Sequence, residues 1–283
     1  MGFQATAVNV STGRWLRNGD EGMVQFKVLG TLEVLNGERI CTPTPPKVRR
    51  VLSVLVMTAN RIVHMDALID ELWGANPPKS AVTTVQTYIC HLRRVFEKEN
   101  LCTTHGDLLY TRPPGYVLRV SDDQLDARLF EQLTARGQEL LERGCAHQAS
   151  EVLRRALAMW TGPALANIQP GDVLQPYVVH LEERRISALE LRIQADMALG
   201  RHRQIICELR SLVATFPLNE WFHEQLITAL SHSGRRGEAL QAYQHVRAVL
   251  NEELGVEPSP DLQRLQHDVL SLGIAAVPRA RTA

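Results

Sequence analysis

Seventeen consecutive residues, Ser80 to Phe96, hold no carboxylate. They carry instead the hydroxyls of Thr83, Thr84, Thr87 and Tyr88, the imidazole of His91 and the guanidinium groups of Arg93 and Arg94. Such a set is poor material for acid–base catalysis but suits a polyanion with hydrogen-bonding edges. Hydroxyls and imidazole donate to or accept from bases, threonine methyls pack on thymine methyls, and arginine forks onto guanine or phosphate. A carboxylate on the same surface would repel phosphate.

Other chemistry has little to stand on. The sequence contains no H-E-x-x-H, G-x-S-x-G, Walker A or G-x-G-x-x-G pattern, and its histidines are dispersed. Glu182-Glu183 beside Arg184-Arg185 reads as a solvated helix face. No catalytic residue, cofactor or metal site is expected. Cys41, Cys90, Cys102, Cys145 and Cys207 form no C-x-x-C pair, which fits a reducing, cytoplasmic setting better than a disulfide framework. No apolar run reaches the ~18–20 residues of a membrane span. Residues 1–22 lack a signal-peptide h-region and either structural period, so a disordered tail is expected there, with Met23 as a possible alternative start. The formal net charge of zero hides an asymmetry. Residues 23–120 hold 12 Lys and Arg against 8 Asp and Glu, whereas residues 126–270 hold 15 against 19. The first half is the one suited to a polyanionic partner.

Several elements must position the carboxylate-free stretch. Residues 24–40 alternate in polarity and are β-rich, with Asn36-Gly37 as a hairpin signal. Thr44 then caps a helix with Pro45 and Pro46 in its first turn. Val48, Val51, Leu52, Leu55 and Val56 give that helix its apolar spacing, to about Asn60. A second helix, Met65 to Leu72, buries Met65, Leu68, Ile69 and Leu72, with His64 as a poor cap before it. Gly74 and the Asn76-Pro77-Pro78 turn end it. Ser80 caps a third helix running to about Glu97. Its buried stripe is Val82, Val85, Ile89, Leu92 and Phe96. Opposite lie Ser80, Thr83, Thr87, Cys90, His91, Arg94 and Lys98, with Thr84 and Tyr88 on one shoulder and Arg93 on the other. Leu108–Thr111 and Tyr116–Val120 form a hairpin around Arg112-Pro113-Pro114-Gly115. Sheet, three helices, hairpin is the order of a winged helix-turn-helix, in which the third helix reads DNA.

From Leu125 onward the period is helical. Gly200-Arg201 and Gly234-Arg235 stand 34 residues apart, and Ala195/Ala229, Leu209/Tyr243 and Leu212/Val246 share that offset. A 34-residue period indicates tetratricopeptide-like helix pairs, with a looser copy around Gly144, Ala149 and Leu153. The chain is therefore expected to be mainly α with a small antiparallel β portion. Its expected division is a disordered tail 1–22, a winged domain 23–122, a helical-repeat domain 123–272 and a flexible tail 273–283.

Four segments in this order also carry a resemblance. Thr42 to Leu52, Leu72-Trp73-Gly74, Val85 to Arg94 and Arg112 to Tyr116 resemble an OmpR/PhoB-type winged-helix output domain. Asn219-Glu220-Trp221, Gly237 to Tyr243 and Leu254 to Pro258 resemble a bacterial transcriptional activation domain. The pair is similar to the Streptomyces antibiotic regulatory protein (SARP) family over about residues 24–270. The resemblance implies that Thr87, Tyr88, His91 and Arg93 face the groove or phosphate, that Trp73 braces a phosphate through its indole N–H, and that Arg112 reaches the minor groove. Relatives often have Arg where Cys90 stands. It further implies a transcriptional activator of antibiotic or secondary-metabolite genes, bound to direct repeats near a −35 element as a homodimer or head-to-tail pair. RNA polymerase holoenzyme would be its partner, touched by the loop with Asn76 and Lys79. The residues alone leave two alternatives open: a protein-interaction adaptor working through the repeats, and a repressor using the same DNA-binding surface.

Overall fold

The computed structural model describes residues 24–101 and 107–271, together with the backbone of 8–9 and 14–15. The expected tails lie outside these residues, save for the short antiparallel pair β1 (Val8–Asn9) and β2 (Arg14–Trp15). Cys102 also lies outside them. The architecture is mainly helical with small antiparallel sheets, as the sequence pattern predicts. It divides into two compact units, residues 1–192 and 193–283.

In the first unit, β3 (Val24–Lys27), β4 (Glu33–Asn36) and β5 (Arg39–Ile40) form an antiparallel meander. Val24, Phe26 and Val34 are fully buried, so the period-2 alternation faces one side to the core. The hairpin falls one residue later than Asn36-Gly37 suggests. Asn36 pairs with Arg39, and Gly37, at φ 59°, opens the two-residue loop.

Helix α1 (Pro46–Met57) starts with Pro46 in its first turn, but Pro45 rather than Thr44 holds the cap position, without a side-chain cap. Every residue from Val51 to Val56 is buried, which makes α1 the central helix of this unit. Helix α2 (Met65–Trp73) follows strand β6 (Val63–His64). His64 supplies no side-chain cap, and the exposed-end N–H of Met65 donates instead to the Pro114 carbonyl (3.3 Å). Helix α3 (Ala81–Lys98) buries Ala81, Val85, Ile89, Leu92 and Phe96. Val82 departs from the expected stripe. It is 48% exposed, because in the first turn Ala81 takes the covered place. Strands β7 (Leu109–Arg112) and β8 (Gly115–Leu118) close the hairpin, and β6 joins it in the order β6-β8-β7.

The core does not stop at the hairpin. Helices α4 (Asp126–Glu142) and α5 (Ala146–Leu157) cross where Gly137 lets Leu153 approach; a Cβ at 137 would overlap the leucine side chain. Phe130 meets Trp160 edge-on at 5.5 Å, and both belong to one apolar cluster that runs from Val24 to Ala188. The loop after α5 is laced to the first sheet. Thr161 N–H donates to Leu29 O (2.9 Å), Leu165 N–H to Val28 O (3.0 Å) and Ala166 N–H to Gly30 O (2.9 Å). The Asn167 side chain accepts from Leu32 N–H at 2.8 Å. Asp126 accepts from the N–H groups of Val28 and Leu29, and burial pushes its carboxyl up to about 6. Glu71 of α2, itself buried, accepts from Gly171 and Leu174 just ahead of α6 (Gln175–Ala198). The compact unit thus continues well past residue 122, where the change of period puts the domain boundary.

The second unit holds α7 (His202–Thr215), α8 (Glu220–His232), α9 (Arg236–Leu254) and α10 (Pro260–Ser271). The 34-residue offset has a local cause. Gly200 and Gly234 adopt φ of 69° and 78°, each followed by an arginine whose N–H reaches back to a carbonyl five residues earlier (Asp196 and Leu230). This is a Schellman end. Gly144, in the first unit, repeats it with Cys145 and Leu140. The offset pairs Ala195/Ala229 and Leu209/Tyr243 are buried at equivalent packing positions. Arg236 ties down the last helix, donating to the carbonyls of Val269 (2.8 Å) and Leu270 (2.6 Å).

Candidate nucleic-acid interface

Burial of the stripe on α3 turns Thr83, Thr87, Cys90, His91 and Arg94 outward, all exposed. Thr84, Tyr88 and Arg93 are half-buried on the shoulders, and Tyr88 packs on the core. The first turn of α3 holds no acidic residue, so its positive helix end is uncompensated. Two hydroxyls on this face are already committed as donors. Thr84 Oγ1 donates to Ser80 O and Thr87 Oγ1 to Thr83 O, each at 2.9 Å. What they offer outward is a lone pair and a methyl, suited to an exocyclic amino group or a thymine methyl. Arg94 has no partner among the described residues.

Arg93, expected at the groove or a phosphate, is engaged with the wing in this structure. Its Nε donates to Leu109 O (3.3 Å) and its Nη2 to Thr111 Oγ1 (2.7 Å), so the guanidinium spans from α3 to β7. Arg112 ends β7, exposed, beside the cis Pro113-Pro114 turn. Its neighbour in register is Gly115, where a Cβ would overlap the Val63 carbonyl oxygen of β6. Only glycine permits that approach. Arg119, past the end of β8, is exposed and stacks on Tyr110 at 4.6 Å. Burial pushes the Tyr116 phenol up, and the nearby Arg93 charge works against this.

Trp73 is half-buried against the core, with the Lys47 ammonium 5.0 Å from its ring centre. Asn76 and Lys79 are exposed in the α2–α3 loop. Gln86, unassigned from the sequence, and Val82, expected in the buried stripe, are both exposed on α3 beside Thr83 and Thr87. Gln86 was discoverable, lying three residues from Thr83 and four from Cys90 on one wheel sector. Val82 was not, since its spacing matches the buried stripe. Among the described residues no group of three or more His, Cys, Asp or Glu side chains is placed to hold a metal ion. No helix there is long and apolar enough to cross a membrane.

Comparison with known proteins matches both parts of this arrangement. Residues 41–118 match the family of transcriptional regulatory protein C-terminal domains, and residues 125–270 match the bacterial transcriptional activator domain. The regulatory protein DnrI of Streptomyces peucetius is 40% identical over 250 residues, covering 87% of this chain and 92% of DnrI. The chain belongs to the SARP family of transcriptional regulators. The transcriptional regulator RedD of Streptomyces coelicolor is 33% identical, covering 88% of this chain and 71% of its own. The regulatory protein AfsR of Streptomyces griseus is 34% identical, but this SARP spans only 24% of AfsR. Among solved structures, Mycobacterium tuberculosis EmbR in complex with a low-affinity phosphopeptide superposes with a TM-score of 0.83 at 33% identity. The match covers 89% of this chain and 66% of EmbR. The chain is thus a DNA-binding transcriptional regulator with an activator domain, and the winged and helical parts are the ones its family shares.

Proposed function

We propose that this SARP acts in the cytoplasm as a pathway-specific activator of antibiotic or secondary-metabolite genes. It binds direct repeats near the −35 element and recruits RNA polymerase holoenzyme. One observation carries the reading: the exposed face of α3 carries no carboxylate from Ser80 through Phe96, Glu97 entering only in its last turn, and it stands beside a wing that ends in Arg112. On this reading Thr83, Thr87, His91 and Arg94 lie in the major groove, joined by Gln86, whose amide matches adenine. Thr84 and Tyr88 line the groove wall, Trp73 with Lys47 meets a phosphate, and Arg112 enters the adjacent minor groove. Two copies bind head to tail, one on each repeat. Asn76 and Lys79 offer the loop contact to polymerase, and the helical part supplies further contact. Added protein–protein contact raises promoter occupancy, so the mechanism asks for no catalytic group.

The test is a footprint of the full chain on DNA upstream of its own and neighbouring genes, paired with transcription by purified holoenzyme. Protected direct repeats spaced by about one helical turn, with transcript increased, are expected. Protection with transcript reduced would instead make it a repressor. No protection at low salt would overturn DNA reading and favour an adaptor role.

A further inference from the structure

The guanidinium of Arg93 makes two hydrogen bonds, and both go to one strand of the wing. It leaves α3 one turn beyond Ile89, half-buried, and reaches Leu109 O and Thr111 Oγ1, two acceptors on alternate residues of β7. Thr111 directly precedes Arg112 and pairs with Tyr116, while Arg112 pairs with Gly115. Gly115 in turn is held against Val63 by its missing side chain. The tip of the wing is therefore fixed on one side by backbone contact with β6 and with the first N–H of α2, which donates to Pro114 O, and on the other by a single side chain from α3. No other side chain of α3 hydrogen-bonds to the hairpin among the described residues. Two donors in a rigid planar fork hold an angle as well as a distance, which a single ammonium donor cannot do.

We infer that Arg93 is a positioning residue: it sets the wing at a defined angle to the DNA-reading helix, so that groove reading by α3 and minor-groove entry by Arg112 are energetically coupled. This rests on the DNA-reading role of α3 proposed above. It assigns Arg93 a different job from an independent phosphate contact, and the two jobs make opposite predictions.

The experiment measures binding of the full chain to its footprinted repeat DNA across a salt series, for Arg93→Ala, Arg93→Lys, Thr111→Val, Arg112→Ala and the Arg93→Ala/Arg112→Ala double variant. If Arg93 is the brace, Arg93→Lys behaves like Arg93→Ala although it keeps the charge. Thr111→Val, which removes the exposed hydroxyl that accepts from Arg93 and leaves every charge in place, weakens binding in the same direction with the salt slope unchanged. Arg93→Ala then costs roughly tenfold in the parent background but less than about twofold once Arg112 is gone, the non-additivity expected of a shared network. The inference is overturned if Arg93→Lys binds like the parent, Thr111→Val has no effect, and Arg93→Ala lowers the salt slope by about one unit equally in both backgrounds. Hydrogen exchange of the free protein gives a second arm that needs no DNA. Amides of residues 109–118 should exchange faster in Arg93→Ala and Thr111→Val than in the parent. Equal protection would overturn the brace, whereas failure of the parent to bind any repeat, with the exchange difference intact, would overturn the DNA reading and leave the brace standing.

Discussion

The carboxylate of Glu71 sits 2.7 Å from the backbone nitrogen of Gly171, and a Cβ on that glycine would overlap the Glu71 backbone. The side chain is buried and accepts a second N–H, from Leu174 at 2.8 Å, while Arg50 lies 3.8 Å away. Replacing Glu71 with Ala would strand two backbone donors and remove the carboxylate beside Arg50. A destabilisation of about 2–4 kcal/mol is expected, read as a fall in urea midpoint at unchanged m-value. A midpoint within error of the parent would mean the clamp contributes nothing.

At Gly115 the effect should be local and steric. A methyl there meets the Val63 carbonyl, so Gly115→Ala must part β6 from β8. Stability should drop by about 1–3 kcal/mol, and specific DNA affinity should fall along with the ordered wing. Hydrogen exchange at Val63 and Tyr116 would report the parting, and unchanged protection would refute it.

Asp126 predicts a dependence on pH. Its folded carboxyl is raised to about 6 from 3.8, chiefly by burial and against the pull of the Val28 and Leu29 N–H groups. A raised acid favours its protonated form in the fold. Its stabilising contribution is therefore complete below about pH 3.8 and is lost as pH rises through about 6. The stability of parent relative to Asp126→Asn should decline between pH 4 and 7. Parallel stability curves for the two proteins would contradict the raised value.

On the reading face, Thr87→Ala and Gln86→Ala should each cost about 1–3 kcal/mol at one base position and little on non-specific DNA. Arg94→Ala is the counterpart. With no partner to lose among the described residues, it should either relax specificity at a guanine or reduce the salt slope by about one unit. Competition binding against single-base variants separates the two. No change in either quantity would place Arg94 outside the interface.

Much of this was legible in the sequence because it has a short period. Val85, Ile89, Leu92 and Phe96 announce α3 and, by exclusion, its outward face. The 34-residue offset of Gly200 and Gly234 marks two left-handed helix ends that few other residues could form. What stayed hidden is non-periodic or distant. Asp126 meets Val28 across 98 residues and Glu71 meets Gly171 across 100. No local pattern records such a pairing, so the change of period near residue 122 carries no sign that the core runs on past it. Arg93 was hidden for another reason. Spacing gives the sector in which a long side chain leaves the helix, but not which of several acceptors it reaches.

The lacing of Thr161, Leu165, Ala166 and Asn167 onto residues 28–32 bears on how such regulators could be recombined. A transplant of new operator preference that exchanges only residues up to 122 would set a foreign sheet edge against these four partners and a foreign α2 against Gly171. The mismatch would surface as poor folding and be mistaken for failed recognition. Substituting the outward residues of α3 alone leaves every stitch intact. For this scaffold the economical route to a retargeted regulator is repainting one helix face, and the smallest cassette that can be swapped whole extends through the 161–174 loop and on into α6, to the end of the first compact unit.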